Sequence, residues 1–253
     1  MLSRRLIACL DVTNGGVVKG VNFESLRSMG DPAELAARYE AEGADEVVLL
    51  NIAAAREDRN ALVKTVERVA DSLFIPLTVG GGVSSTGDAA MLLRAGADKI
   101  SINSAAVATP GLISDAANVF GSQCVVASID ARRCDGRWRV YVSGGRVPTD
   151  LDAVEWAMKC AELGAGEILL TSIDRDGTRD GYDIELTRAV ARAVQVPVIA
   201  SGGGGDGDDV VEVLTEGRAD AALMAGALHD RTCSVAEIKK AMQQAGIRVR
   251  AAA

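Results

Sequence analysis

EGADEVVLLNI (42–52) is answered about 120 residues later by LGAGEILLTSI (163–173). Each segment leaves a helical pattern through a glycine, Gly43 or Gly164, which suits the left-handed residue that ends a helix. Each then enters a continuous apolar run too short for a helix, the pattern of a strand buried on both faces in a parallel sheet. Working outward, LIACLDV (6–12) aligns with CVVASIDA, IPLTVGGG with VPVIASGGG, and AGADKISINSA with GRADAALMAGA, at a near-constant offset.

Eight strand candidates follow: 6–12, 46–52, 75–80, 98–103, 124–130, 167–173, 196–201 and 220–226. Helical patterns such as PAELAARYEAEG, DAAMLLRAG, LDAVEWAMKCAELG and IELTRAVARAV come between them, with Gly43, Gly96, Gly164 and Gly217 as stops. Eight β-then-α units without a break in composition predict a single (β/α)8 TIM barrel spanning 1–253, with half-barrels of about 1–120 and 121–253. An open doubly wound sheet would need fewer strands or an added domain.

The bulk composition agrees. The 253 residues suit one such barrel, and aromatics at 3% leave an aliphatic core. A net charge of −8 argues against nucleic acid, so an anionic ligand must be held by local groups. Five cysteines without a CxxC pair read as reduced thiols of a cytoplasmic protein. One histidine, His229, rules out a His-rich metal site and disfavours a Ser-His-Asp triad. No signal peptide or membrane span is expected.

Asp11 and Asp130 occupy the same repeat position, at the C-terminal ends of strands one and five. That end of a barrel carries the active site, and those two strands face each other across it. Two carboxyls there can divide general-acid and general-base work if their environments separate their pKa values; a helix cap or loop bond at either remains open. Lys19, Asn51, Asn103, Thr171, Ser172, Asp176 and Ser201 lie on the same rim, although Asp174-Arg175-Asp176-Gly177 also reads as a plain turn. Gly80-Gly81-Gly82 with Asn103-Ser104, and Gly202-Gly203-Gly204-Gly205 with Ala225-Gly226, form two glycine-rich loop pairs. Glycines let backbone N–H groups approach an anion, and the recurrence implies two phosphates at opposite ends of one ligand.

At the other end, Arg5, Glu46, Lys99 and Glu167 begin four strands. The period of two puts Arg5 on the same strand face as Asp11. Two cations and two carboxylates there fit either a ring closing the barrel floor or four unrelated solvated charges.

The segments CLDVTNGGVVKGVNF (9–23), GDPAELAARY (30–39), FIPLTVGGGV (74–83), AGADKISINSAAV (95–107), FGSQCVV (120–126), GAGEILLTSIDRDGTRDGYD (164–183) and VPVIASGGG (196–204) together resemble the cyclase-subunit family of imidazole glycerol phosphate synthase, of histidine biosynthesis. The resemblance runs from Arg5 to about Arg248. It implies a lyase that converts a phosphoribulosyl-formimino carboxamide ribonucleotide (PRFAR) and ammonia into imidazole glycerol phosphate and aminoimidazole carboxamide ribonucleotide, without cofactor or metal. Positions matching Asp11 and Asp130 serve there as the acid–base pair. Lys19 matches a loop residue that closes over substrate. Gly82, Asn103, Ser104, Asp176, Gly177, Gly203 and Gly226 match substrate or phosphate contacts, beside Asn51, Thr171, Ser201, Gly202 and Ala225 on the rim. Arg5, Glu46, Lys99 and Glu167 match the gate for ammonia from a glutaminase subunit in a heterodimer, and Asp98 and Gln123 match its docking face. The sequence departs from the family at Asn51, where an Asp is usual, at Ala53-Ala54, in the Gly204-Gly205-Asp206 loop, and at Gly226, where Ser is usual. A sister sugar isomerase would share both aspartates and both phosphate sites without needing the gate. A barrel that binds phosphorylated ligand with impaired catalysis is the third alternative.

Overall fold

A computed structural model describes residues 3–13, 15–21, 24–52 and 59–250. The first half runs β1 (Arg5–Thr13), β2 (Gly16–Val21), β3 (Glu24–Gly30), α1 (Pro32–Ala41), β4 (Glu46–Asn51), α2 (Arg59–Ala70), β5 (Leu77–Gly80), α3 (Thr86–Arg94), β6 (Lys99–Ile102), α4 (Ser104–Ala108) and α5 (Gly111–Phe120). The second runs β7 (Val125–Cys134), β8 (Arg137–Val142), β9 (Val147–Asp152), α6 (Ala153–Glu162), β10 (Glu167–Ser172), α7 (Ile184–Ala193), β11 (Val198–Ser201), α8 (Gly207–Thr215), β12 (Ala221–Met224), α9 (Gly226–His229) and α10 (Val235–Gln244).

Eight strands close a parallel barrel in the order β1-β4-β5-β6-β7-β10-β11-β12, with β12 returning to β1. All eight are the runs expected from the sequence. Alternation divides them between two cores. On β1, Ile7 and Cys9 face the interior with Val48, Val126, Leu169, Ile199, Ala221 and Leu223. Leu6, Ala8 and Leu10 pack outward against the helices. Each such Leu withdrawn from water contributes roughly 1.5–3 kcal/mol.

The repeated Gly-Ala-Asp motif has a physical reason at the barrel floor. Asp45, Asp98 and Asp220 stand just before β4, β6 and β12. Their carboxylates accept amides at the starts of neighbouring strands: Leu6 at 2.8 Å, Leu77 at 2.8 Å and Val198 at 3.1 Å. Lys239 bonds the other oxygen of Asp45 at 2.7 Å, which ties α10 under the barrel. Before β10 the motif carries Gly166 instead, because a Cβ there would lie 2.1 Å from the Ser122 carbonyl oxygen. Gly166→Ala should therefore cost about 1–3 kcal/mol by overpacking, read as a lowered Tm.

Gly43, Gly96 and Gly164 take positive φ at helix ends, as expected. At the fourth stop the left-handed residue is Arg218 rather than Gly217, whose Cβ would instead strike the Val213 carbonyl oxygen at 2.5 Å. The segments after β1 and β7 are antiparallel hairpins, β2–β3 and β8–β9, which the strand-and-helix pattern did not foresee. The turn from β7 into β8 had a signal: Asp135-Gly136, both at positive φ, followed by Arg-Trp-Arg-Val-Tyr-Val.

Candidate active site

β1 and β7 are separated by β4, β5 and β6 one way round and by β12, β11 and β10 the other, so they face each other across the barrel. The inward row of β1 is Arg5, Ile7, Cys9 and Asp11, and that of β7 is Val126, Ser128 and Asp130. Both aspartates therefore stand at the C-terminal mouth, where they were expected, and both are half-buried. Cys9 Sγ lies 3.9 Å from Asp11 Oδ1. Thr171 is in register with Asp130 on one side and Ser201 on the other, so the three form one arc of the rim.

Burial pushes the Asp130 carboxyl up to about 6, against the Asn103 amide, which favours the ion, and with the Asp176 carboxylate adding repulsion. Asn103 Nδ2 donates to Asp130 Oδ2 at 2.9 Å, and its amide oxygen is buried without a partner, an acceptor left for a ligand's donor. Asp176→Asn should lower the Asp130 pKa by removing a like charge. Asn103→Leu should raise it by removing a bond to the ion. Carboxyl-carbon NMR titration reads both signs.

The loop 174–177 is a turn closed on Ser172 by the Asp176 N–H at 2.9 Å, with Gly177 at φ 78°, and that turn brings Asp176 to Asp130. The two glycine loops match across the barrel. Gly81 and Gly82 take φ 92° and 79°, Gly202 and Gly203 φ 89° and 104°. A Cβ on Gly81 would lie 2.1 Å from the Asn51 carbonyl oxygen, and one on Gly202 would lie 2.6 Å from that of Ser172, its repeat partner. A Cβ on Gly82 would meet nothing within 4 Å, so this backbone borders open space. Beside them Asn103 and Ala225 precede α4 and α9, in similar unusual conformations and with no side-chain cap on either first turn. Ser104 Oγ accepts the Ser143 N–H at 2.9 Å and so also holds the β8–β9 turn.

Asn51 stands one residue off the inward row of β4, which is Glu46, Val48 and Leu50. Its backbone supports Gly81. The Lys19 side chain and Ala53-Ala54 lie outside the described residues, although the backbone of Lys19 pairs in register with Arg27.

At the floor the four charges close a ring. Arg5 reaches Glu46 at 2.9 Å and Glu167 at 2.6 Å, and Lys99 reaches the same carboxylates at 3.0 and 2.8 Å. Burial alone would depress the Arg5 guanidinium, yet Glu167 and Glu46 outweigh it and the net shift is upward. Thr78, overlooked in the sequence although it sits two residues before Gly80 on the inward face of β5, donates to Glu46 at 2.6 Å. Asp98 and Gln123 are exposed near this end, and one oxygen of Asp98 is committed to the Leu77 amide. Phe74, 95% exposed at the start of the β5 segment, is a second feature the sequence did not single out. Among the described residues no group of three or more His, Cys, Asp or Glu could hold a metal, and no helix is long and apolar enough to cross a membrane.

The family described as "Histidine biosynthesis protein" matches residues 5–234. An imidazole glycerol phosphate synthase subunit HisF from Myxococcus xanthus is 61% identical over 250 residues, 99% of each chain. Subunits of the same name from Prochlorococcus marinus and Dehalococcoides mccartyi are 58% and 56% identical, over 94% and 99% of each chain respectively.

Proposed function

The chain belongs to the histidine biosynthesis protein family, and we propose that its barrel performs the cyclase–lyase step of imidazole glycerol phosphate synthesis. PRFAR and ammonia give imidazole glycerol phosphate, aminoimidazole carboxamide ribonucleotide and one water. The observation that carries this reading is the pair of opposed half-buried carboxyls, one of them at about 6, between two matching glycine loops.

Ammonia adds to the substrate carbonyl. The hydroxyl so formed must leave as water, and the departing carboxamide ribonucleotide needs a proton on its nitrogen. Asp130, its carboxyl raised to about 6 by burial, is the proton donor, and Asp11 on the opposite strand takes protons from the nitrogen as the ring closes. Gly82 with Asn103-Ser104, and Gly202-Gly203 with Ala225-Gly226, bind the two terminal phosphates through backbone N–H groups. Thr171, Asp176, Gly177 and Ser201 lie on the rim between, and the resemblance assigns Lys19 and Asn51 to the same substrate.

The ring of Arg5, Glu46, Lys99 and Glu167 gates ammonia delivered by a glutaminase subunit docked on the floor, where Asp98 and Gln123 are exposed. A sugar isomerase acting on a similar substrate would have no use for this gate. Purified chain incubated with PRFAR and an ammonium salt at alkaline pH should consume the substrate absorbance. Asp11→Asn and Asp130→Asn should each abolish that loss, and full turnover by either variant would refute the assigned pair.

A further inference from the structure

The hairpin arm β2–β3 leaves the barrel through two register pairs to β1, Val12 with Val17 and Thr13 with Gly16. Arg27, directly across the hairpin from Lys19, forms an ion pair with Asp230 Oδ1. Arg179, from the loop between β10 and α7, takes the other oxygen, Asp230 Oδ2. One carboxylate thus joins two segments that approach from different sides of the mouth. Its own N–H donates to the Gly226 carbonyl at 3.0 Å, which fixes the carboxylate to the first residue of α9. That short helix is itself held from beneath: Tyr39 Oη meets His229 Nδ1 at 2.5 Å, and Arg38 covers the Tyr39 ring at 4.6 Å. The two guanidiniums hold the Asp230 carboxyl below the usual carboxylate range, so it stays charged at neutral pH.

We propose that Asp230 is a positioning residue: it fixes the arm bearing Lys19 and the loop bearing Asp176 against α9, so that both stand in register with the phosphate loop at Gly226. This rests on the cyclase reading of the mouth. Paired surface charges contribute little to global stability, so the consequence is kinetic.

The test measures kcat and KM for PRFAR at saturating ammonium in Asp230→Asn, Arg27→Ala, their double variant and Asp230→Glu. Melting and limited trypsin cleavage of the arm are followed alongside. The proposal expects Asp230→Asn to lower kcat about tenfold and raise KM several-fold, as a small misplacement does. Tm should stay within about 2 °C of the parent. Arg27→Ala should match it, the double variant should be no worse than either single, and Asp230→Glu should recover most of the loss. Trypsin should cut the arm faster in Asp230→Asn. Parent-like kcat and KM in Asp230→Asn overturn the proposal, as do losses that multiply in the double variant or track a fall in Tm. If the parent chain consumed no PRFAR with ammonium, the cyclase reading would fail on its own, and the trypsin rates would still decide whether Asp230 holds the arm.

Discussion

Asp130→Asn is expected to cut turnover about 10³-fold while making the fold more stable above pH 6. The Asp130 carboxyl sits at about 6 in the folded chain, above its ordinary 3.8. Between those values the folded state holds the proton more tightly than the unfolded chain. This contribution favours folding fully below about pH 4 and is lost as pH rises through about 6. Above that, the ionised carboxylate costs the fold up to roughly 3 kcal/mol, since each tenfold change in proton affinity is worth about 1.36 kcal/mol. Asparagine is neutral throughout, keeps the shape, and can still accept the Asn103 amide bond. The variant should therefore match the parent near pH 4 and gain about 2–4 °C in Tm per kcal/mol as pH rises. Melting from pH 4 to 8 measures this, and parallel Tm curves for the two proteins would show that Asp130 carries no strain. Stability gained where activity is lost is the mark of a group kept in place for chemistry.

Lys99→Met is expected to cost about 3–5 kcal/mol, because it breaks the floor ring on one side only. Glu46 and Glu167 have side-chain exposures of 1% and 11%, and Arg5 would be left to neutralise both carboxylates. Tm should fall by roughly 10 °C at neutral pH. A double variant that also replaces Glu167 with Gln should recover part of the loss. Parent-like Tm in Lys99→Met would mean that water already screens the ring. The same break should lower the ratio of glutamine-driven to ammonium-driven turnover when a glutaminase subunit is supplied, since an open floor no longer regulates passage.

The sequence was legible where period and repetition carry the information. Leu6-Ile7-Ala8-Cys9-Leu10 splits between two cores because both faces of its strand are buried, and that uniform apolarity identifies a parallel barrel strand. The β2–β3 arm was not legible, since its segment shows no clean alternation and it pairs mainly with itself, with only two register pairs to β1. The Asp135-Gly136 turn was legible in principle and lay hidden behind the expectation of helix after strand.

The chain order by itself determined the eight strands, the half-barrel symmetry, the opposition of Asp11 and Asp130 and both glycine loops, because each depends on local period or on a repeat offset. Only the tertiary structure decided whether Arg5, Glu46, Lys99 and Glu167 form a ring or stand apart, since closure depends on strand register and tilt around the whole barrel. It alone separated Asp130 from the ordinary carboxylate range, and joined Arg27, Arg179 and Asp230. Burial and long-range charge contacts belong to the folded surface and have no period along the chain from which they can be read.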